Sequence, residues 1–291
     1  MCYDRNARPP IPPIPPVSGG AGVGEGRDLV LTSEDGNRFG AYSVATDTLG
    51  GPGIVILPDI RGLHAFYEDL AVRFAEAGVH ATAFDYFGRT AGVGKRDDDF
   101  EFMPHVDQCR PDTIAADVAA AIAHVRSPEG GGATSVFTVG FCFGGRNSFN
   151  QAARGHGLAG VIGFYGRVAR NDDGDSNAPT GLAGDYACPV LGLFGGADQN
   201  ISRAHVDAFR RALDDADVKN EIMIYEGAPH SFFDRTFAKY REECEDAWTR
   251  ILKFIADNGG PGGVAATSEA RQLRTPWLAK RSAAGGALPR R

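Results

Sequence analysis

The sequence predicts an α/β fold in which a mostly parallel sheet begins with an antiparallel N-terminal hairpin and carries helices on both faces. Short apolar runs, such as GIVILPD at 53–59, alternate with longer segments of helical periodicity. That alternation is typical of parallel strands joined by crossover helices. The first two segments instead alternate polar and apolar residues around an Asp-Gly turn at 34–37. This spacing indicates a hairpin ahead of the parallel strands.

Each element of the first half has its own local pattern. RDLVLT and RFGAYSVA form the hairpin, and GIVILPD is apolar throughout, as expected of a strand buried on both faces. The first helix places Leu70, Phe74 and Ala77 at helical spacing and ends at Gly78. VHATAFDYFG is the next strand. A second long helix begins near Pro111, since proline is favoured in a first helical turn.

The second half repeats the pattern. A strand ends at Gly140, a helix starts at Phe143, and the strands GVIGFYG and PVLGLFGGAD follow. A helix from Ser202 leads to the strand EIMIYEG. The last helix aligns five residues on one side: Tyr240, Cys244, Trp248, Ile251 and Ile255. A hairpin followed by alternating strands and helices predicts a mostly parallel sheet covered by helices.

The two ends differ in composition from the rest. Residues 1–26 are rich in proline and glycine and are predicted to form an irregular arm. Residues 258–291 lose apolar periodicity and carry six Lys/Arg against one Glu, which predicts a flexible basic tail. A single α/β domain is expected over residues 27–257.

Composition excludes several classes of function. The net charge of −7 argues against nucleic acid or an anionic membrane as a partner. No stretch approaches the roughly 20 apolar residues of a membrane span, and the start has no apolar signal-peptide segment. The five cysteines are scattered and include no CxxC pair, so neither disulfides nor zinc are expected. We therefore expect a cytoplasmic protein, monomeric or weakly dimeric.

Three residues follow predicted strands in an informative order. Cys142, Asp198 and His230 each come just after a strand, with separations of 56 and 32 residues. The carboxyl ends of parallel strands meet at one edge of a sheet, so the three side chains are expected there together. Nucleophile, acid and histidine in this order indicate a hydrolase that uses a catalytic triad.

The motif GFCFGG around Cys142 predicts a nucleophile elbow with sulfur in place of oxygen. A strained strand-to-helix turn exposes the thiol, and glycines two residues before and after it let neighbouring backbone pass closely. The amides of the following helix favour a thiolate. Alone, the motif also fits a buried cysteine in a glycine-rich turn. Asp198 could instead cap the helix at Ser202, and His230 could be a surface loop residue.

The sequence also resembles the dienelactone hydrolase family of the α/β-hydrolase superfamily. The resemblance is carried by GFCFGG, GGADQNI, EGAPHSFFDR and VILPDIRGLHAFYEDLAVRFAEAG, and it spans about residues 29–255. It implies that Cys142 is the nucleophile, Asp198 the acid and His230 the base. It also implies oxyanion-hole amides from Ile60 and Phe143.

Other positions match the family less closely. Asp59 occupies the position of a family glutamate that contacts the cysteine, and it is one methylene shorter. The family binds a substrate carboxylate with two arginines. Arg235 is shifted by one residue from the first, and Arg61, Arg89 and Arg96 are candidates for the second. Each of these arginines could equally pair with a nearby aspartate.

The resemblance implies hydrolysis of a lactone or activated ester that bears a carboxylate, through a thioester on Cys142. The expected partner is thus a small-molecule ester or lactone, with no metal or organic cofactor. Three alternatives remain: a hydrolase for another ester or thioester, a non-catalytic binding protein on the same fold, and a thiol redox sensor that uses Cys142.

Overall fold

The computed structural model describes Pro9 and residues 23–97, 99–169 and 175–260. These residues form one sheet of eight strands in the order β1-β2-β4-β3-β5-β6-β7-β8. The strands are β1 (Arg27–Thr32), β2 (Arg38–Val44), β3 (Pro52–Leu57), β4 (His80–Phe84), β5 (Ser135–Phe141), β6 (Gly160–Phe164), β7 (Val190–Gly195) and β8 (Asn220–Tyr225).

The pairing matches the predicted class. β1 pairs antiparallel with β2, and β2 pairs antiparallel with β4. Every other neighbouring pair is parallel, from β4 through β3 to β8. The hairpin turn contains Gly36 at φ 83°, a conformation that costs glycine little. The α/β class with an N-terminal hairpin is confirmed.

The helices cover both faces of the sheet. They are α1 (Ala65–Glu76), α2 (Gly88–Ala91), α3 (Met103–Val106), α4 (Pro111–Arg126), α5 (Phe143–Gln151), α6 (Pro179–Leu182), α7 (Arg203–Asp215) and α8 (Arg241–Asn258). Successive residues of β3 point to opposite faces. Ile54 and Ile56 join the apolar cluster that contains α1, whereas Val55 and Leu57 join the cluster that contains α4.

The helix boundaries follow from local chemistry. α1 ends because Gly78 adopts φ 83°, which lets Val79 donate back to the Phe74 carbonyl at 2.9 Å. α4 begins at Pro111, as predicted. The Ser202 side chain accepts the His205 amide at 3.3 Å and caps α7. Three short helices, α2, α3 and α6, were not predicted.

The predicted arm and tail lie almost wholly outside the described residues. Val23 forms an isolated antiparallel bridge with Thr46, and α8 ends at Asn258, one residue beyond the predicted domain boundary. Trp277 lies outside the described residues. Among those that are described, no helix combines the length and the apolar character needed to cross a membrane.

Candidate active site

The turn between β5 and α5 places Cys142 in a strained backbone conformation. Its φ is 54° and its ψ is −110°, which a residue with a side chain adopts only when its surroundings impose it. The Cys142 amide donates to the Phe164 carbonyl of neighbouring β6 at 3.1 Å, and its carbonyl accepts the Arg146 amide at 3.2 Å. The turn is therefore fixed by the sheet on one side and by α5 on the other.

The flanking glycines are required by close backbone packing. A Cβ on Gly140 would lie 2.0 Å from the Gly144 carbonyl oxygen. A Cβ on Gly144 would lie 2.1 Å from the Leu57 oxygen and 2.2 Å from the Pro58 oxygen. Only glycine lets α5 start so close to the end of β3. The loop after β3 consequently runs beside the first turn of α5.

The position of Cys142 differs in kind from those of the other described cysteines. Cys142 is half-buried at the N-terminus of α5, where the helix amides favour a negative charge. Burial raises the pKa of Cys109 to about 11 and that of Cys188 to about 12. Burial also raises the pKa of Cys244. At neutral pH these three thiols are protonated.

Asp198 and His230 form a hydrogen-bonded pair. His230 Nδ1 lies 2.7 Å from Asp198 Oδ2. The other carboxylate oxygen accepts the amides of Asn200 at 2.7 Å and Ile201 at 3.2 Å. Only 2% of the Asp198 side chain is exposed, against 23% for His230. The carboxylate is thus held by backbone donors, and it orients an imidazole that solvent and substrate can reach.

The loop after β3 brings Asp59 and Ile60 to the same edge of the sheet. Asp59 is 1% exposed, its amide donates to the Tyr67 hydroxyl at 2.9 Å, and its Oδ1 accepts the Arg61 amide at 2.8 Å. Ile60, which lies between Asp59 and Arg61 in the chain, is half-buried. Since Gly144 touches the carbonyls of Leu57 and Pro58, this loop lies next to Phe143 and Cys142.

The predicted substrate-binding arginines have different surroundings. Arg89 forms ion pairs of 2.7 Å with Asp35 and 2.8 Å with Asp117. This is the pairing with nearby aspartates that the sequence left open as an alternative. Arg96 pairs with Asp85 at 2.8 Å and lies over the Phe100 ring. Both guanidinium groups are therefore committed to structural contacts.

Arg61 and Arg235 are the remaining predicted arginines. Arg61 is half-buried beside Ile60, and Arg235 is exposed five residues after the histidine. Their roles in binding a substrate stay predictions, as do the catalytic roles assigned above.

Two residues, Tyr165 and Asp234, were not assigned a catalytic or binding role from the sequence. Tyr165 directly follows β6, and its ring lies 4.9 Å from that of His230. Its hydroxyl donates to Asp234 Oδ2 at 2.9 Å. The rule that sites lie at the carboxyl ends of strands, applied to GVIGFYG, would have pointed to Tyr165.

Across the described part of the chain, no group of three His, Cys, Asp or Glu side chains is arranged to hold a metal ion.

The chain is similar in sequence to known proteins. A protein of Yersinia pestis named "Putative carboxymethylenebutenolidase" is 28% identical over 232 residues, which cover 77% of this chain and 85% of that protein. A protein of the same name from Salmonella typhimurium is 31% identical over 214 residues, covering 73% of this chain and 79% of the relative.

Solved structures show the same fold. A crystal structure titled "Putative Dienelactone Hydrolase", from Klebsiella pneumoniae, superposes with a TM-score of 0.69 at 26% identity, covering 80% of this chain and 98% of that one. The sequence model of the dienelactone hydrolase family matches residues 39–258, from the start of β2 to the end of α8. This span contains the elbow, the Asp198–His230 pair and the loop after β3. The chain is a hydrolase with the α/β-hydrolase fold, and it belongs to the dienelactone hydrolase family.

Proposed function

We propose that this enzyme hydrolyses a lactone or activated ester through a covalent thioester on Cys142. The Asp198–His230 hydrogen bond of 2.7 Å, formed at the same sheet edge as the strained turn of Cys142, carries the proposal. An orienting acid and a histidine base at the carboxyl ends of β7 and β8 serve a nucleophile at the end of β5. Cys142 itself holds a φ of 54° in this sharp turn, a strained conformation of the kind that clusters at active sites.

In the proposed first step Cys142 transfers its thiol proton to His230, and the resulting thiolate attacks the ester carbonyl carbon. The C–S bond forms, and the carbonyl electron pair moves to oxygen. The amides of Ile60 and Phe143 are proposed to bind this oxyanion. The contact of Gly144 with Leu57 and Pro58 supports this pairing, because it brings the loop after β3 beside the first turn of α5. Collapse of the intermediate breaks the C–O bond, and the leaving alkoxide takes a proton from His230.

In the second step water hydrolyses the thioester. His230, oriented by Asp198, removes a proton from the water as it attacks the carbonyl carbon. The C–S bond then breaks, and Cys142 leaves as a thiolate. Two products result, a carboxylic acid and an alcohol, or one hydroxy acid when the substrate is a lactone.

The chemistry of sulfur restricts the substrate. A thiolate is a better leaving group than an ordinary alkoxide, so an unactivated ester would mostly revert to substrate. Enol lactones and aryl esters have better leaving groups and would proceed to the thioester. A Bradyrhizobium relative, 24% identical over 231 residues, is named "Probable 2-oxo-3-(5-oxofuran-2-ylidene)propanoate lactonase". Together with the carboxymethylenebutenolidase names, this favours an unsaturated lactone that bears a carboxylate.

The direct test is a hydrolysis screen of unsaturated lactones and aryl esters with wild type and Cys142→Ala. We expect turnover by wild type and loss of about a thousandfold or more in the variant. Cys188→Ala is the matched control, since its thiol lies away from the turn and burial keeps it protonated. Mass spectrometry of His230→Asn after mixing with an aryl ester should show an acyl group on Cys142. Full turnover by Cys142→Ala would place the nucleophile elsewhere.

The carboxylate requirement has its own test. We propose that Arg61 or Arg235 binds the substrate carboxylate, because Arg61 adjoins Ile60 and Arg235 follows His230 by five residues. Arg61→Met or Arg235→Met should raise KM for an acidic lactone by about tenfold or more and spare a neutral aryl ester. Arg203→Met, which removes exposed ion pairs with Glu226 and Asp207, is the control. Equal losses on both substrates, or none in either variant, would point to a neutral substrate.

A further inference from the structure

Tyr165 lies between the strands that carry the nucleophile and the acid. β6 lies between β5 and β7 in the sheet, and Tyr165 is the residue that directly follows β6. Its side chain is fully buried, and its backbone has the left-handed φ of 36°. The Tyr165 amide donates to the Leu193 carbonyl at 2.8 Å. A bulky residue is strained at this φ, so the surrounding contacts must hold it there.

The ring of Tyr165 forms a wall beside the histidine. The two ring centroids are 4.9 Å apart and the planes are inclined by 54°. The hydrogen bond to Asp198 fixes the Nδ1 atom of His230 but leaves the imidazole free to swing about that atom. Contact with the Tyr165 ring restricts this swing. The direction of the opposite nitrogen, Nε2, is therefore set by two contacts rather than one.

Asp234 holds the far end of Tyr165. Its Oδ2 accepts the tyrosine hydroxyl at 2.9 Å, and its Oδ1 accepts the Arg235 amide. Asp234 is 1% exposed, and Ser231, at φ 58°, accepts the Arg235 amide at 3.1 Å. This tight turn after His230 places Asp234 at the Tyr165 hydroxyl. The loop that carries His230 is thus tied to the residue that supports its ring.

Burying the carboxyl group of Asp234 costs folding free energy, which hydrogen bonds must offset. Burial, and then the neighbouring carboxylate of Asp59, raise the pKa of Asp234 well above its ordinary value. A buried acid is expensive for the fold unless its hydrogen bonds are made. The hydroxyl of Tyr165, the amide of Arg235 and the side chain of Ser231 make them.

We propose that Tyr165 and Asp234 are positioning residues, whose hydrogen bond holds the Tyr165 ring against His230 and so aims the imidazole at Cys142. The proposal rests on the proposed cysteine hydrolase function. Neither residue is proposed to contact the substrate. Substitutions of Tyr165 or Asp234 should therefore lower kcat and leave KM nearly unchanged.

The test compares Tyr165→Phe with Tyr225→Phe. Tyr225 provides a matched control because it is also buried, donates to Asp246 at 2.8 Å and packs on Phe232. Both variants lose one hydroxyl from a tyrosine–aspartate bond, but only Tyr165 touches His230. With 4-nitrophenyl acetate, Tyr165→Phe should lower kcat by about tenfold to a hundredfold, since a small misplacement of a catalytic group has effects of this size. Tyr225→Phe should keep kcat within about twofold.

Asp234 gives the second arm of the test. Asp234→Asn retains an oxygen that can accept the tyrosine hydroxyl, and it should keep kcat within about threefold of wild type. Asp234→Leu removes both acceptors and should reproduce the Tyr165→Phe loss in whatever fraction folds, as judged by urea unfolding. Unchanged kcat in Tyr165→Phe, or equal losses in Tyr165→Phe and Tyr225→Phe, would overturn the proposal.

Alkylation of Cys142 by iodoacetamide separates this proposal from the function on which it rests. His230 accepts the Cys142 proton in the proposed mechanism, so a displaced imidazole lowers the thiolate fraction and slows alkylation. If wild type hydrolyses no ester or lactone, the hydrolase proposal fails. Slower alkylation in Tyr165→Phe but not in Tyr225→Phe would still support positioning, and equal rates in both would overturn it.

Discussion

Replacing Gly144 by alanine tests the geometry of the elbow directly. The added methyl would lie 2.1 Å from the Leu57 oxygen and 2.2 Å from the Pro58 oxygen, whereas ordinary contacts begin at 3.4 Å. Both contacts are to backbone, so no side chain can rotate away. The end of β3 or the start of α5 must move by more than an ångström. Overpacking typically costs 1–3 kcal/mol, and we expect the upper end, about 3 kcal/mol of unfolding free energy.

The same displacement should affect turnover beyond its effect on stability. It moves the loop that carries Ile60 away from Phe143, so the proposed oxyanion hole loses one donor. Loss of one such donor lowers kcat by about a hundredfold or more. Urea unfolding and ester turnover are measured at a temperature where the variant is folded.

Gly184→Ala is the control for the Gly144 variant, because a Cβ there meets nothing within 4 Å. It should change the unfolding free energy by less than about 0.5 kcal/mol. A Gly144→Ala enzyme with wild-type stability and wild-type kcat would refute the close packing of α5 on β3.

Three further predictions follow from burial and composition. Iodoacetamide at neutral pH should label Cys142 faster than Cys109 or Cys188, whose pKa values burial raises to about 11 and about 12. Peptide mapping measures the order of labelling, and faster labelling of Cys109 or Cys188 would contradict the prediction. Burial lowers the pKa of His80 from 6.5, so the unfolded chain takes up the proton first and the stabilising effect of neutral His80 is lost as the pH falls below that value. The gap in unfolding free energy between wild type and His80→Gln should therefore narrow from about pH 7.5 to about pH 5, and a constant gap would contradict this. Deleting residues 261–291 should leave the melting temperature and turnover unchanged, because this segment lacks periodic apolar positions, and a large fall would show that it packs on the domain.

The sequence by itself determined the order of the elements and the place of the candidate nucleophile. Apolar runs, helical spacing and stop signals such as Gly78 depend on residues close in the chain, so they could be interpreted without a structure. The same holds for the glycines around Cys142, because a sharp strand-to-helix turn is a local requirement. The rule that parallel strands end at one edge of the sheet then predicted that Cys142, Asp198 and His230 lie together.

Tertiary structure alone decided which side chains meet at that edge. The sequence offered Arg89 for a substrate carboxylate, but the fold places it against Asp117 of α4 and Asp35 of the hairpin turn. It gave no role to Tyr165 or Asp234, which are 69 residues apart in the chain and 2.9 Å apart in the fold. Contacts of this kind depend on the order in which strands pair and on backbone angles such as the φ of 36° at Tyr165, and no local pattern of residues encodes either.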